Sequence, residues 1–337
     1  MARKFNEENE RIKRQYLTFL REAKRCDLTT VDKAADAILR FERGTGYKPL
    51  KLFKIEQATA FKRQLEADRN ARTGKPLSKA TIDGTLRAVK AFILWLAGQP
   101  GYKSRISYSD AEYFNLNAKD ARVAHADRTA PYPSLEQCRH AFSLMPEATD
   151  IERRDKALFA FLMLTGARDG AIASLRLKRI DLVEGCVYQD ARDVKTKNAK
   201  TFTTWFLPVD PIYLACFTAW VTHLRHDLLF GHDDALFPKP TMGLINGSFA
   251  VEGLSRHSYA NADKIREVIK DAFISAALPS FAPHSFRKTL VKWADRHYPS
   301  REAFKAFSQN IGHDSTVTTV SSYLPVSPER QAELIRA

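Results

Sequence analysis

The chain has 337 residues, 44% of them hydrophobic and 27% charged, and its 53 Lys and Arg against 39 Asp and Glu leave a formal charge of +14. That length exceeds a single hydrophobic core and predicts two domains, while the basic excess favours a polyanionic partner, because clustered Lys and Arg gain affinity by displacing counterions from phosphates. No stretch approaches the apolar length needed to cross a bilayer and residues 1–6 lack an apolar signal core, so a membrane partner is excluded and a cytoplasmic protein is expected.

The charge is uneven: residues 1–130 hold 27 Lys and Arg against 16 Asp and Glu, leaving 26 against 23 for the remainder. Within this basic front, Ile12, Tyr16, Phe19 and Leu20 recur at helical spacing between Glu7 and Lys24 and predict an amphipathic helix. A second helix is expected from Thr29, with Asp32 completing its cap, to the Gly44–Gly46 stretch. Ile55, Ala58, Phe61 and Leu65 predict a third, running to about Arg69. After a polar, basic loop over 70–77, Ser78 caps a fourth helix with apolar positions Ile82, Leu86, Val89, Phe92, Ile93 and Leu96, ending at Gly98. Ser109 and Glu112 suggest one more short, capped helix.

Residues 1–118 therefore read as a small helical bundle whose apolar positions are core and whose basic loops and helix ends could meet phosphates. Residues 119–133 carry Lys119, Arg122 and Arg128 and end at Pro131 and Pro133, which predicts an extended linker between domains. Such a segment could also lie along a nucleic-acid backbone.

The second domain, 134–337, opens with two capping boxes, Ser134 with Gln137 and Thr149 with Glu152; the second starts an apolar helix through Leu158, Phe159, Phe161, Leu162 and Leu164 to Gly166. A new helix is expected from Ala167, placing Arg168 at its start, where backbone N–H groups and a guanidinium would converge on an anion. The plainer alternative is a pair between Arg168 and Asp169 or another carboxylate. Two β-prone runs, 186–189 and 201–207, flank a polar tip with Lys195, Lys197 and Lys200, and predict a hairpin or small sheet edge. Helices are then expected over 211–229, 258–276, 285–296 and 300–309, and from Asp314 to the C-terminus. The fold class is mainly α with one small antiparallel sheet. Cys26, Cys138, Cys186 and Cys216 are scattered without metal-ligand spacing, so reduced thiols are expected and no metal site is suggested.

Residues 283–326 place His284, Arg287, His313 and Tyr323 in order, with His284 at a helix cap, Arg287 one turn on, and His313 at a further helix start. Each alone has an ordinary structural explanation: a capping histidine, a surface arginine, a buried tyrosine. With Arg168 and the lysines they read together as a phosphate-cleaving site. A phenol, with a reference pKa of about 10, is a poor nucleophile unless cations favour its phenolate or a base takes its proton. Arg168, Arg287 and His313 would supply the field, and His284 is the candidate base. Two guanidinium forks can bind the non-bridging oxygens of a phosphodiester bidentately without a metal, and a lysine on a hairpin is suited to protonate the leaving oxygen.

The run Thr165-Gly166-Ala167-Arg168 with Leu175-Arg176-Leu177, the lysine hairpin, His284-x-x-Arg287, Gly312-His313 and Tyr323 together resemble the tyrosine recombinase family, the phage-type integrases. The resemblance covers almost the whole chain: the front is similar to the family's helical core-binding domain and 134–337 to its catalytic domain. It implies catalytic roles for Arg168, Lys197, His284, Arg287, His313 and Tyr323. Lys197-x-x-Lys200 matches the family spacing, Lys195 is a close second, and Lys200 remains a third possibility.

The resemblance also implies double-stranded DNA as partner, no cofactor, no need for ATP or magnesium, a 3′-phosphotyrosyl intermediate, and four protomers on two duplexes joined by exchange of the C-terminal segment Ser327 to Ala337, with Leu334 and Ile335; an ordinary terminal helix packed in cis is the alternative for that segment. A site-specific recombinase or integrase of a mobile element is expected; a type IB topoisomerase and a non-catalytic DNA-binding protein are the alternatives. Three positions depart from the family pattern. Ala171 stands where an acid is usual, so Asp169 is the candidate substitute. The interval from His313 to Tyr323 is one residue longer than the common one, and the lysine is not unique.

Overall fold

In a computed structural model of the chain, residues 5–71, 73–126, 131–245, 248–324, 331, 332, 335 and 336 are described. The chain divides into two compact units, Met1–Arg128 and Thr129–Ala337. In the first unit α1 (Glu7–Thr18), α2 (Leu28–Gly44), α3 (Ile55–Ala67) and α4 (Lys79–Ala97) pack around Ile38, Phe41, Phe61, Phe92 and Leu96. The Phe41 ring meets Phe61 and Phe114 edge-on at 5.2 and 5.5 Å between centroids, the arrangement aromatic quadrupoles favour. Buried Asn9 donates to the Lys48 carbonyl and accepts from Leu50 N–H, at 3.0 and 2.9 Å, which ties α1 to the chain leaving α2.

Three expectations for this unit change. The cap of α2 is Asp27, not Thr29: its carboxylate accepts Thr30 N–H at 2.6 Å and adds a negative charge at the positive end of the helix. The short helix near residue 109 is a 3₁₀ turn, Tyr108–Phe114, capped by Ser107 and Asp110 rather than Ser109 and Glu112. The segment 119–133 is not extended throughout, because Ala118–His125 forms α5. Asn117 caps it, Asp120 pairs with Lys79 at 2.9 Å, and His125 reaches Asp83 at 3.1 Å. Ala124 alone is buried, so two turns held by polar contacts leave no apolar period to read.

The second unit contains α6 (Leu135–Ser143), α7 (Asp150–Thr165), α8 (Asp169–Ile172), α9 (Pro211–Thr222), α10 (Asp263–Ser275), α11 (Pro283–His297), α12 (Arg301–Asn310) and α13 (Thr316–Tyr323). Both capping boxes of α6 and α7 form as expected. Every residue of α7 from Ala157 to Thr165 is buried, as befits a helix apolar on all sides, and it is the axis of this core. A three-stranded antiparallel sheet runs β1 (Ile180–Asp181), β2 (Cys186–Gln189), β3 (Phe202–Trp205), with Val187 opposite Thr204 and Gln189 opposite Phe202.

A second, two-stranded sheet, β4 (Pro240–Ile245) and β5 (Ser248–Leu254), corrects the expectation of one sheet. Its sequence is interrupted by Gly243 and Gly253, and Met242, Leu244 and Val251 lie exposed, so burial does not enforce the alternation that betrays a strand. Helix α10 starts at Asp263 rather than Ser258, because Asn261 Oδ1 accepts the Asp263 N–H at 3.0 Å and sets the start. Helix α13 starts at Thr316, after Ser315 caps Val317 N–H, and its last residue is Tyr323. The exchange segment Ser327 to Ala337, with Leu334, lies outside the described residues except at 331, 332, 335 and 336; Ile335 is exposed.

Candidate functional site

The link from α7 to α8 builds one wall. Gly166 caps α7 with φ of 56°, a left-handed conformation that glycine adopts without strain, and the chain then places Arg168 as the residue preceding α8. Arg168 is half-buried and makes no ion pair with a described residue, so the plainer pairing with Asp169 does not form. Asp169 instead accepts from Arg266 Nε at 2.6 Å. Its effect on the site is electrostatic, opposing the lowering of the His284 pKa. Ala171 is buried in the core.

Opposite stands α11. Ala282 is its cap residue and Pro283 occupies the first turn, so His284 lies inside the helix rather than at its cap. One turn on, Arg287 is only 2% exposed. It donates through Nη1 to the Gly166 carbonyl at 2.7 Å and through Nη2 to the Ile311 carbonyl at 2.6 Å, with His313 Nε2 3.0 Å from the same Nη2. Its Nε is buried with no hydrogen-bond partner among the described residues. Burial, reinforced by the charge of Arg168, lowers the guanidinium to about 10, with Tyr323 acting the other way.

His313 does not start a helix; it sits in the turn between α12 and α13, after Gly312. Burial first, then Arg287 and Arg168, push its pKa down to about 4, and the same causes lower His284. Both imidazoles are thus neutral near pH 7. Tyr323, 8% exposed, lies between them: its hydroxyl is 3.4 Å from His284 Nε2, and its ring stacks on His313 at 5.5 Å between centroids. Ser315 caps α13 between His313 and Tyr323, and with the ten-residue interval the phenol reaches His284.

The lysine tip closes the remaining side. Lys195 N–H is held by Ser174 Oγ at 2.8 Å, and its Nζ donates to the Ala260 carbonyl at 3.0 Å. Lys200 pairs with Asp314 at 2.6 Å. Lys197 makes no hydrogen bond or ion pair among the described residues, and its charge contributes to lowering both histidines. Asn198 and Ala199 follow in left-handed conformations, φ 57° and 50°. An open cavity of roughly 690 Å³ is lined by Arg168, Lys197, Lys200, His284, His313 and Tyr323 together with Asn198, Gly312 and Asp314. Arg287 lies behind it against His313, and Lys195 is not among its lining residues.

Sequence reasoning missed the residues that hold these groups in place: Asp314 on Lys200, Asn310 against Trp205, and Thr319 and Ser308 behind His313. Only Thr319 left a trace, lying one helical turn before Tyr323 on the same face.

No protein-family model matches the sequence, and no curated protein matches it. The fold has clear counterparts among solved structures. A lambda integrase dimer bound to a COC′ core site aligns over 93% of this chain and 94% of that one, with a TM-score of 0.63 and 12% identity. The Tn1549 transposon integrase aligns in complex with transposon right end DNA (TM-score 0.60, 16% identity, 96% and 98% of the two chains). It also aligns in complex with a circular intermediate DNA (0.58, 16%, 96% and 98%). The chain has the tyrosine recombinase fold, mainly helical with small antiparallel sheets.

Proposed function

We propose that the protein is a site-specific DNA recombinase, cleaving and rejoining strands through a 3′-phosphotyrosyl intermediate at Tyr323. The observation that carries this reading is Arg287: a buried guanidinium whose Nε has no hydrogen-bond partner among the described residues, near enough to Arg168 and Tyr323 to be influenced by both. A buried donor left without a partner is costly, and a phosphate oxygen is the acceptor that would relieve it.

In the proposed reaction, Arg168 and Arg287 hold the non-bridging oxygens of one phosphodiester. The phenol of Tyr323 attacks phosphorus, its proton passing to neutral His284 Nε2, and the bond to the 5′ oxygen breaks as Lys197 donates a proton to it. His313, backed by Arg287, lines the same cavity and completes the polar field. A 5′ hydroxyl from another strand reverses the sequence and releases Tyr323. No bond energy is lost, so exchange requires no nucleotide. The basic first unit would grip the duplex. Similarity to a transposon integrase favours movement of a mobile element. Four protomers would act on two duplexes.

The test is a pool of nicked duplexes whose central segment is randomised, incubated with the protein and recovered by covalent attachment. Wild type should form an adduct and Tyr323→Phe none; an adduct at full yield from the phenylalanine variant sinks the assignment. Joining of the trapped strand to a second duplex marks a recombinase, and relaxation of supercoils without joining marks a topoisomerase. Binding without any adduct marks a non-catalytic DNA-binding protein.

A further inference from the structure

Behind His313 runs a buried chain of hydroxyls that none of the expected catalytic groups includes. His313 Nδ1 lies 2.7 Å from Thr319 Oγ1, and Thr319 Oγ1 lies 2.6 Å from Ser308 Oγ. Thr319 is 0% exposed, Ser308 1% and His313 5%, so no solvent competes for these bonds. The direction of the chain follows from chemistry. A guanidinium has donors only, so Nε2 must accept from Arg287, and the single proton of the neutral ring must sit on Nδ1. Nδ1–H therefore donates to Thr319, whose own proton is free for Ser308.

The placement of Thr319 matters as much as its bond. It lies on α13 one turn before Tyr323, so threonine and tyrosine share a helix face. Ser308 belongs to α12, and Arg287 to α11. One hydroxyl thus links the helix that carries the tyrosine to the histidine whose ring stacks on that tyrosine, and braces both against α12.

We propose that Thr319 is a positioning residue of this site, fixing the ring and tautomer of His313 so that Nε2 faces Arg287, and setting the register of Tyr323 against that ring. The proposal rests on the recombinase reading. It extends that reading to a residue that touches neither phosphate nor leaving group. A valine of the same shape would fill the space and leave Nδ1–H without an acceptor. A serine would restore the acceptor with one methyl fewer. Arg168, Lys197, Arg287 and His284 also face His313, and all disfavour its cationic form, so the Thr319 hydroxyl is the neutral side-chain partner of its ring among the described residues.

The experiment compares wild type, Thr319→Val, Thr319→Ser and Ser308→Ala in two measurements. The first is the imidazole ¹⁵N spectrum of histidine-labelled protein without DNA, which reads the tautomer of His313 directly. Wild type and Thr319→Ser should show the Nδ1–H form, and Thr319→Val should shift toward Nε2–H or a mixture. The second is the rate of covalent adduct formation on the duplex recovered by the wild type. Loss of one buried orienting bond should slow Thr319→Val by about tenfold, with Thr319→Ser restored to near the wild-type rate and Ser308→Ala between them. An unchanged tautomer and rate in Thr319→Val overturn the proposal while leaving the recombinase reading intact. Should Thr319→Val fail to fold, failure of Thr319→Ser to keep the Nδ1–H form and the wild-type rate overturns it. No adduct from wild type fells the reading and the proposal together.

Discussion

Asn310 and Trp205 exchange two hydrogen bonds: Trp205 N–H donates to Asn310 Oδ1 at 2.7 Å, and Asn310 Nδ2 donates to the Trp205 carbonyl at 2.9 Å. An amide side chain at the end of α12 thereby completes the open edge of β3, and Thr204 Oγ1 adds a bond to the Asn310 carbonyl at 2.7 Å. The strand that follows the lysine tip and the turn that carries His313 are thus fastened to one another.

Asn310→Ala should loosen that fastening. Loss of two bonds at a partly exposed edge is expected to lower stability by about 1–3 kcal/mol, read as a lower urea midpoint. Adduct formation should slow further than stability alone explains, because the lysine tip and the His313 turn lose their common reference. Asn310→Asp keeps the acceptor for Trp205 N–H and loses the donor, so it should fall between. A variant with lowered midpoint and unchanged cleavage would show that the fastening is structural only.

The three lysines should separate sharply. Lys195 is engaged with the Ala260 carbonyl and Lys200 with Asp314, whereas Lys197 lines the cavity with no hydrogen bond or ion pair among the described residues. Lys197→Ala is expected to slow cleavage by roughly 10²–10⁴, the range for general acid catalysis. A substrate with sulfur in place of the bridging 5′ oxygen, which leaves without a proton, should restore its rate. Lys195→Ala and Lys200→Ala should show smaller losses that the sulfur substrate does not repair. Rescue confined to Lys195→Ala would transfer the role to that residue.

Much of this was legible in the sequence, for definable reasons. Apolar periodicity located α1, α3 and α4, because burial enforces it on one face there, while α2 was read from its cap and glycine stop and α7 from its cap and apolar run. Local hydrogen bonding made the Ser134 and Thr149 caps readable. The order of Arg168, His284, Arg287, His313 and Tyr323 announced a common site, and the fold brings them around one cavity or directly behind it. The choice among the lysines was not legible, since it turns on Ala260 and Asp314, which lie 65 and 114 residues away in the chain. Nor was the fate of Asp169, whose partner Arg266 is 97 residues distant. β4 and β5 were missed because exposed Met242, Leu244 and Val251 form no buried face.

Acid should destabilise the protein partly through His313. Its folded-state pKa is depressed to about 4 from an ordinary 6.5, by burial and then by Arg287 and Arg168. The unfolded chain therefore takes up a proton first as pH falls. The stability is fully present above pH 6.5, declines as pH drops through the window down to about 4, and is gone below it. His284, lowered in the same direction, adds to the slope. Urea midpoints measured across this window should fall less steeply for His313→Asn than for wild type. Equal slopes would mean that His313 is not held neutral in the folded state.

Gly312 offers the strictest test of how the His313 turn is built. Its φ is 77°, a conformation in which any side chain is strained, and a Cβ placed there would lie 2.6 Å from the Phe202 ring. That ring belongs to β3 and packs over the turn, so neither strain nor contact can be relieved by moving a flexible side-chain end. Gly312→Ala should cost about 1–3 kcal/mol and, by displacing His313 from Arg287, slow cleavage by more than the stability loss accounts for. Trimming the ring separates the two causes. In Gly312→Ala with Phe202→Leu the contact is removed and the backbone strain remains, so cleavage should recover in part while the urea midpoint stays low. Full recovery of both would show that crowding by Phe202, and not the left-handed turn, is what demands glycine before His313.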